Sequence, residues 1–341
     1  MEEKNSTIPF FTSDTKKILT DLGKELALSL LAKMITIRQF DLRAEASYLQ
    51  GKVGGFLHLY IGQEAIQTAA VQAAGTKNWF STSYRCHGLA LLLGESPLSL
   101  MSELYGKETG NAHGRGGSMH FFLPNMLGGD GIVGGQLPMA TGAGFTCKYL
   151  KQKEKVSLCF LGDGAVAQGT FHESLNLASL RKLPCLYIVE NNKWSMGTPL
   201  IRTLCDPENF LFHAAQTYNM PYYRLDGMDI FNCYAGFKDA LDTVINKETP
   251  VLIECLTDRF KGHSISDPGL YRTKDELKEC MKRDPILLMK NVLIENQFLT
   301  DEEFKVMETK IRQEIAHVAE EADKAPWPDP STLEQGVLIK E

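Results

Sequence analysis

Four short apolar runs recur through the second half of the chain: VSLCFLG (156–162), PCLYIVE (184–190), PYYRLDG (221–227) and PVLIECL (250–256). Each is rich in branched or aromatic residues and too short for a helix, so each reads as a strand. Segments with helical character near 168–182, 208–218 and 230–247 separate them. Strands that alternate with helices pair in parallel, because the chain must cross back over the sheet each time. The pattern therefore predicts an α/β fold, a parallel sheet flanked by helices on both faces.

The flanks are helical. Leu19, Leu22, Leu26, Leu30, Met34 and Ile37 recur at helical spacing between Thr15 and Gln50. A short loop carrying His58 follows, then a helix from about Gln63 that ends at Gly75, then the strand-like NWFSTSYRCHG. From Thr273 to about Asp323 the chain is charged and helical, and KAPWPDPSTLEQG gives an irregular end. There are no repeats and no low-complexity linker. We expect one domain over 1–341, with a helical N-terminal extension over about 1–50 and a helical tail over about 273–341.

A net charge of −6 and the lack of any basic run argue against nucleic-acid binding. The N-terminus MEEKNSTIPFFTSDTKK has no signal-peptide core, opens acidic and lacks arginine, and no apolar run is long enough for a bilayer. The expectation is a bacterial-like cytoplasmic location without membrane association. The eight cysteines are scattered without any C-x-x-C, which fits reduced thiols used as small core residues.

VSLCFLGDG ends in Gly162-Asp163-Gly164, and PCLYIVENN ends in Asn191-Asn192. In open parallel sheets ligands bind outside the carboxyl ends of strands. One right-handed β-α-β unit brings the aspartate and the asparagines to the same edge. The following helix offers unpaired backbone N–H groups to an anion. A carboxylate with an amide oxygen is a hard, oxygen-only donor set, apt for magnesium completed by phosphate and water. The stretch from Gly110 to Gly144 is unusually rich in glycine, which lets backbone approach a ligand closely.

One rival motif needs weighing. GDGIVG (129–134) matches the dinucleotide fingerprint G-x-G-x-x-G. The preceding FFLPNML reads poorly as a strand, Pro138 stands in the would-be helix, and Glu154 lies before a strand where the fingerprint wants it after one. A nicotinamide dehydrogenase is therefore disfavoured. A non-catalytic scaffold would be favoured by loss of Asp163, Asn192 or Arg85, and all three are present.

Gly162-Asp163-Gly164, then 26 residues, then Asn191-Asn192 resembles the diphosphate–magnesium motif of thiamine diphosphate enzymes. GGFLHLYIGQEA, STSYRCHG, GRGGSMHFF, GGDGIVGGQLP, LRKLPCLYIVENNKWSMGTP, LDGMDI and KGHSISDPGLYRT, in that order, resemble the alpha subunits of the two-chain 2-oxo acid dehydrogenases, those acting on pyruvate above all. The resemblance covers roughly 40–330.

That resemblance implies a thiamine diphosphate-binding fold with the cofactors thiamine diphosphate and Mg2+. It implies decarboxylation of pyruvate and transfer of the acetyl group to a lipoyl carrier; branched-chain 2-oxo acids or acetoin are the alternative substrates. Asp163, Asn192 and the carbonyl of Trp194, usually tyrosine in the family, would bind magnesium. Tyr84, Arg85, Gly164 and Ala165 would contact the diphosphate, with Gly131 and Val133 lining the aminopyrimidine. His58 and His263 would orient substrate or stabilise charge on its keto oxygen, with His263 on a mobile loop over the site and also against the cofactor. That loop departs from the family, reading Lys261-Gly262-His263-Ser264 and lacking a second serine. His87 and His120 are open between structural and functional roles. The resemblance also implies two alpha and two beta chains, a cofactor-activating glutamate on the beta chain, and a lipoyl-bearing acyltransferase partner. Glu64 is the nearest candidate for such a glutamate in this chain.

Overall fold

The computed structural model describes residues 8–335; residues 1–7 and 336–341, which belong to the expected N-terminal extension and tail, lie outside the described residues. Helix α1 spans Thr15–Leu49 and is capped by Asp14, whose carboxylate accepts from the Lys16 and Lys17 N–H groups. Its helical register is interrupted at Gly23, where φ is +73°. Helix α2 (Glu64–Ala74) starts at Gln63 and stops at Gly75, as the sequence pattern required. Then come β1 (Trp79–Ser83), α3 (His87–Leu92), α4 (Pro97–Leu104), β2 (Met126–Asp130), α5 (Gln136–Tyr149) and β3 (Ser157–Gly162). The second half holds α6 (Gly169–Arg181), β4 (Cys185–Asn191), a two-stranded ribbon of β5 (Trp194–Ser195) and β6 (Thr198–Pro199), α7 (Phe210–Thr217), β7 (Tyr222–Asp226), α8 (Ile230–Lys247) and β8 (Val251–Leu256). Helices α9 (Lys274–Met281), α10 (Pro285–Glu295) and α11 (Asp301–Lys324) close the chain. Capping boxes Thr273/Glu276 and Thr300/Glu303 start α9 and α11.

Six strands form one parallel sheet in the order β2-β1-β3-β4-β8-β7. Strand alternation sends side chains to two cores. Leu158, Phe160, Leu186 and Ile188 join α1, α2, α8 and the C-terminal helices on one face. Cys159, Leu161, Tyr187 and Val189 meet α5, α6 and α7 on the other. β4 is buried along its whole length, which is why its sequence reads as a continuous apolar run. All eight cysteines are free, and six are buried. Among the described residues no helix is long and apolar enough to cross a membrane.

Two local expectations change. β2 is a real edge strand ending inside Gly129-Asp130-Gly131, and α5 does follow it. Pro138 is the third residue of α5, where its missing N–H breaks no intrahelical bond. The strand and proline objections to the dinucleotide motif therefore fall. What still excludes it is Glu154, in the turn before β3, and Asp130, whose carboxylate accepts from the Ile132 N–H (2.8 Å) and so lies within the motif's own turn. The second change is at Asp163. A 3-10 turn (Asp163–Ala167) intervenes before α6 begins, so the free N–H groups beside Asp163 belong to that turn.

Candidate active site

The chain leaves β1 towards β2 on one side and returns to β3 on the other. The crevice outside these carboxyl ends is where such a sheet accepts a ligand. A cleft of about 350 Å³ lies there. It collects Tyr84 and Arg85 after β1, Val133 after β2, Asp163, Gly164 and Ala165 after β3, Asn192 and Trp194 after β4, and His263. Nine of the eleven residues expected from sequence thus line one cavity. The other two stand just behind. Gly131 lies against His120, whose Nε2 would be 3.5 Å from a Cβ there. His58 packs on Tyr84 and His263, with ring centroids 4.3 and 5.1 Å away.

Strand alternation separates the two asparagines. Asn191 turns away: its amide donates to Glu254 (2.6 Å), and its oxygen accepts from the Lys193 N–H (3.0 Å). Asn192 donates its amide nitrogen to Gln63 Oε1 (3.1 Å), which leaves Oδ1 buried without a partner. Asp163 is in the same condition. Its Oδ1 accepts from the Gly164 N–H (3.1 Å), and Oδ2 is buried with no donor. Burial pushes the Asp163 carboxyl up to about 7 although Arg259 draws it down. Gly164 has no room for a side chain, because a Cβ would fall 2.2 Å from Ser195 Oγ.

Arg85 is buried rather than displayed on a surface turn. It donates to the carbonyls of Leu59 (2.7 Å) and His263, tying together the segments that carry the two histidines. Burial and then Arg259 lower it to about 10, so it stays charged at neutral pH. His58 is driven down to about 2 by burial and then Arg85, and His263 to about 4 by the same two causes. Both rings are neutral at pH 7.

The loop after β8 is anchored over the cleft. Asp267 accepts from the His263 N–H (2.6 Å), the Gly269 N–H (2.8 Å) and Tyr271 OH (2.8 Å). Arg259 donates to Tyr271 OH (2.6 Å) and to the Met196 carbonyl (3.1 Å). Tyr271 in turn packs on Trp194, ring centroids 4.8 Å apart.

Sequence reasoning missed Gln63, Glu190 and Arg259, which also line the cleft. Glu190 had a signal, being a carboxylate inside the apolar PCLYIVE run. It accepts from Tyr60 OH and from Gln67 (3.3 Å), and burial lifts it to about 7. Gln63 and Arg259 had none, since only the fold brings them here. His87 sits in a structural setting: its Nδ1 meets Asp41 (2.7 Å) and its Nε2 meets Ser118 Oγ (2.9 Å), fully buried. Glu64 is structural too, its oxygens taken by Arg38 and the Gly62 N–H (3.0 Å). Among the described residues no three His, Cys, Asp or Glu side chains group to hold a metal on their own.

Residues 32–331 match the family model described as the dehydrogenase E1 component. The chain is similar to proteins named pyruvate dehydrogenase E1 component subunit alpha. It is 37% identical to that of Rickettsia conorii, over 91% of this chain and 95% of the relative, and 38% identical to that of Rhizobium meliloti, over 94% and 92%. It is 40% identical to the chloroplastic subunit alpha-3 of Arabidopsis thaliana, over 99% of this chain and 78% of the relative. With its cleft at the strand ends and a match across most of its length, the chain belongs to the dehydrogenase E1 component family.

Proposed function

We propose that this chain is the alpha subunit of a pyruvate dehydrogenase first component, acting with thiamine diphosphate and magnesium on pyruvate. We read it as a single thiamine diphosphate-binding domain with helical additions at both ends. The observation that carries the reading is the pair of buried oxygens, Asp163 Oδ2 and Asn192 Oδ1, left without donors beside Arg85 in one cleft. A native structure rarely leaves such atoms unpaired unless a ligand completes them.

The donor set fits the cofactor. Two oxygens are too few for a metal alone but match one whose remaining ligands come from a diphosphate. Asp163, Asn192 and the Trp194 carbonyl would hold the magnesium. Tyr84, Arg85 and the N–H groups of Gly164 and Ala165 would hold the diphosphate, and Gly131 and Val133 would flank the aminopyrimidine. Bound thiamine diphosphate supplies the electron sink for loss of carbon dioxide from a 2-oxo acid. Neutral His58 and His263 can donate hydrogen bonds to the substrate keto oxygen, where negative charge develops. Arg85 holds both their segments, so one side chain serves the cofactor and aligns the histidines. The anchored 259–272 loop helps to keep water out.

A beta chain completes the site in this reading, in an assembly of two alpha and two beta chains that serves a lipoyl-bearing acyltransferase. Support comes from α5 and α6. Met139, Phe145, Tyr149, Leu177 and Leu180 are exposed there, and Ile132 and Val133 are exposed on the segment between β2 and α5. Apolar surface of this extent marks a protein contact. The deciding experiment is co-expression with the beta chain, followed by side-by-side assays of decarboxylation of pyruvate and branched-chain 2-oxo acids and of carbon–carbon cleavage of acetoin. Preference for pyruvate is expected; preference for another would reassign the substrate, and turnover of none would remove the reading.

A further inference from the structure

One carboxylate outside the cleft organises a whole loop. Glu103, on the last turn of α4, is fully buried. Its Oε2 accepts from the N–H groups of Ala112 (2.8 Å) and Gly114 (2.8 Å), and its Oε1 from Gly116 (2.7 Å) and Gly117 (3.1 Å). Four backbone donors converging on one point form the kind of cradle that binds anions, and here the chain fills it with its own side chain. The glycines are required by this closeness. A Cβ on Gly110 would fall 2.3 Å from Glu103 Oε2, and Gly114 has φ +74° with the Gly106 carbonyl 2.5 Å from where its Cβ would stand.

The far end of this loop packs against the segment that leads into the cleft, Gly129 and Gly131 just before Val133. Ser118 meets His87 through its hydroxyl, and its carbonyl accepts from Cys86 Sγ (3.3 Å). The Met119 carbonyl lies 2.4 Å from where a Cβ on Gly129 would be. His120 Nδ1 donates to the Gly116 carbonyl (3.0 Å), which leaves Nε2 facing Gly131. On the outer side, Lys107 Nζ donates to the Asp323 carbonyl (3.0 Å) and lies 4.1 Å from the Trp327 ring, while Arg115 donates to the Gln335 carbonyl (2.6 Å).

We propose that Glu103 is a positioning residue: by closing the loop 110–117 from inside, it sets Met119 and His120 as the buttress that holds the 129–134 segment against the cofactor. The proposal rests on the functional reading above for the identity of that cofactor. The coupling runs through loop backbone and the His120 ring, none of which lines the cleft, so a change at Glu103 reaches the cleft without altering any residue in it.

The test uses the assembly of this chain with its beta partner. Glu103→Gln keeps the shape but turns one acceptor into an NH2 group facing N–H donors. Amide hydrogen exchange over 110–120 and 129–134 should quicken, with β3 and β4 unchanged. The dissociation constant for thiamine diphosphate, measured with magnesium by calorimetry, should rise about tenfold, while kcat at saturating cofactor stays within about twofold. Gly116→Ala, whose Cβ would fall 2.4 Å from the His120 carbonyl, should give the same pattern from the opposite side of the loop. If Glu103→Gln does not assemble, Gly116→Ala decides alone. Unchanged exchange at 129–134 in the decisive variant, or exchange lost throughout the sheet, overturns the proposal. Were the wild-type assembly to bind no thiamine diphosphate, the functional reading would fall, and exchange at 129–134 would still decide the coupling.

Discussion

Asp163 and Asn192 follow neighbouring parallel strands, and each presents one buried oxygen, Oδ2 and Oδ1, to which nothing donates. Neither arrangement is good packing. A buried carboxylate oxygen without a partner costs free energy that only a ligand returns. Asp163→Ala should therefore leave the fold intact and abolish magnesium-dependent thiamine diphosphate binding. The expected loss is about a hundredfold or more by calorimetric titration of the reconstituted mutant. Wild-type affinity would sink the assignment.

The same burial gives a signature in pH. Asp163 rises from 3.8 to about 7 and Glu190 from 4.5 to about 7 on folding. Between those values the folded state binds more protons than the unfolded one, so their contribution to stability falls as pH rises towards 7. His58 and His263 work the other way. Their folded values lie below 6.5, at about 2 and about 4, so their contribution is full above 6.5 and is lost as pH falls. In the wild type these slopes oppose each other. Asp163→Ala removes one descending term, so its melting temperature minus that of the wild type should increase from pH 5 to pH 8 without divalent ions. A difference flat across that range would mean the carboxyl is not perturbed.

His58 and His263 should remain neutral wherever the enzyme works. Side-chain NMR of both rings should show no titration midpoint near 6.5. His263→Ala should lower kcat/KM about a hundredfold, as expected for removing a group that handles charge on the substrate. A normal midpoint for either ring would place it in water rather than in desolvated surroundings.

How much of this was readable without coordinates follows from what pattern encodes. Alternation of apolar runs and helices announces a parallel sheet, because strands buried on both faces must be apolar throughout, as β4 is. Asp163 and Asn192 were legible because glycines and a strand end surround them. β2 was not: an edge strand of Met126–Asp130 pairs on one side only and carries two glycines. Pro138 misled because its effect depends on where the helix starts, which no local pattern around it fixes. Gln63 and Arg259 reach the cleft only through tertiary packing, so their neighbours in sequence say nothing of it.

Ser264 adjoins His263 and is joined to Ser266, hydroxyl to hydroxyl at 3.1 Å. The next residue is pinned to the segment that carries His58, Ile265 N–H donating to the Leu57 carbonyl (2.9 Å). Charge introduced at 264 therefore stays close to the two histidines. Ser264→Glu should nearly silence turnover by repelling an anionic 2-oxo acid, with the fold retained. Steady-state rates within about twofold, some 0.4 kcal/mol, would mean the loop does not govern the site.

The last prediction concerns what the chain lacks. Cofactor activation in this reading needs a glutamate facing the aminopyrimidine, near Gly131 and Val133. Glu64 cannot serve: it is fully buried, bound at both oxygens by Arg38, and Arg38 is held in turn by Asp284 (2.9 Å). Glu64→Gln should accordingly act on stability, costing about 3–5 kcal/mol as a broken buried ion pair does. Glu190 does line the cleft, but it accepts from Tyr60 and Gln67 and stands two residues before Asn192, at the diphosphate end. In this reading the missing carboxylate arrives from a second chain, and the exposed apolar side chains of α5 and α6 give that chain a place to sit. Purified alone, this protein should neither decarboxylate pyruvate nor bind thiamine diphosphate tightly. With the beta chain it should elute as two alpha and two beta chains, since closed two-fold assemblies are the usual outcome of such contacts. Robust decarboxylation by rigorously beta-free protein would overturn this and assign the activating role to a carboxylate of this chain, with Glu190 the first to mutate.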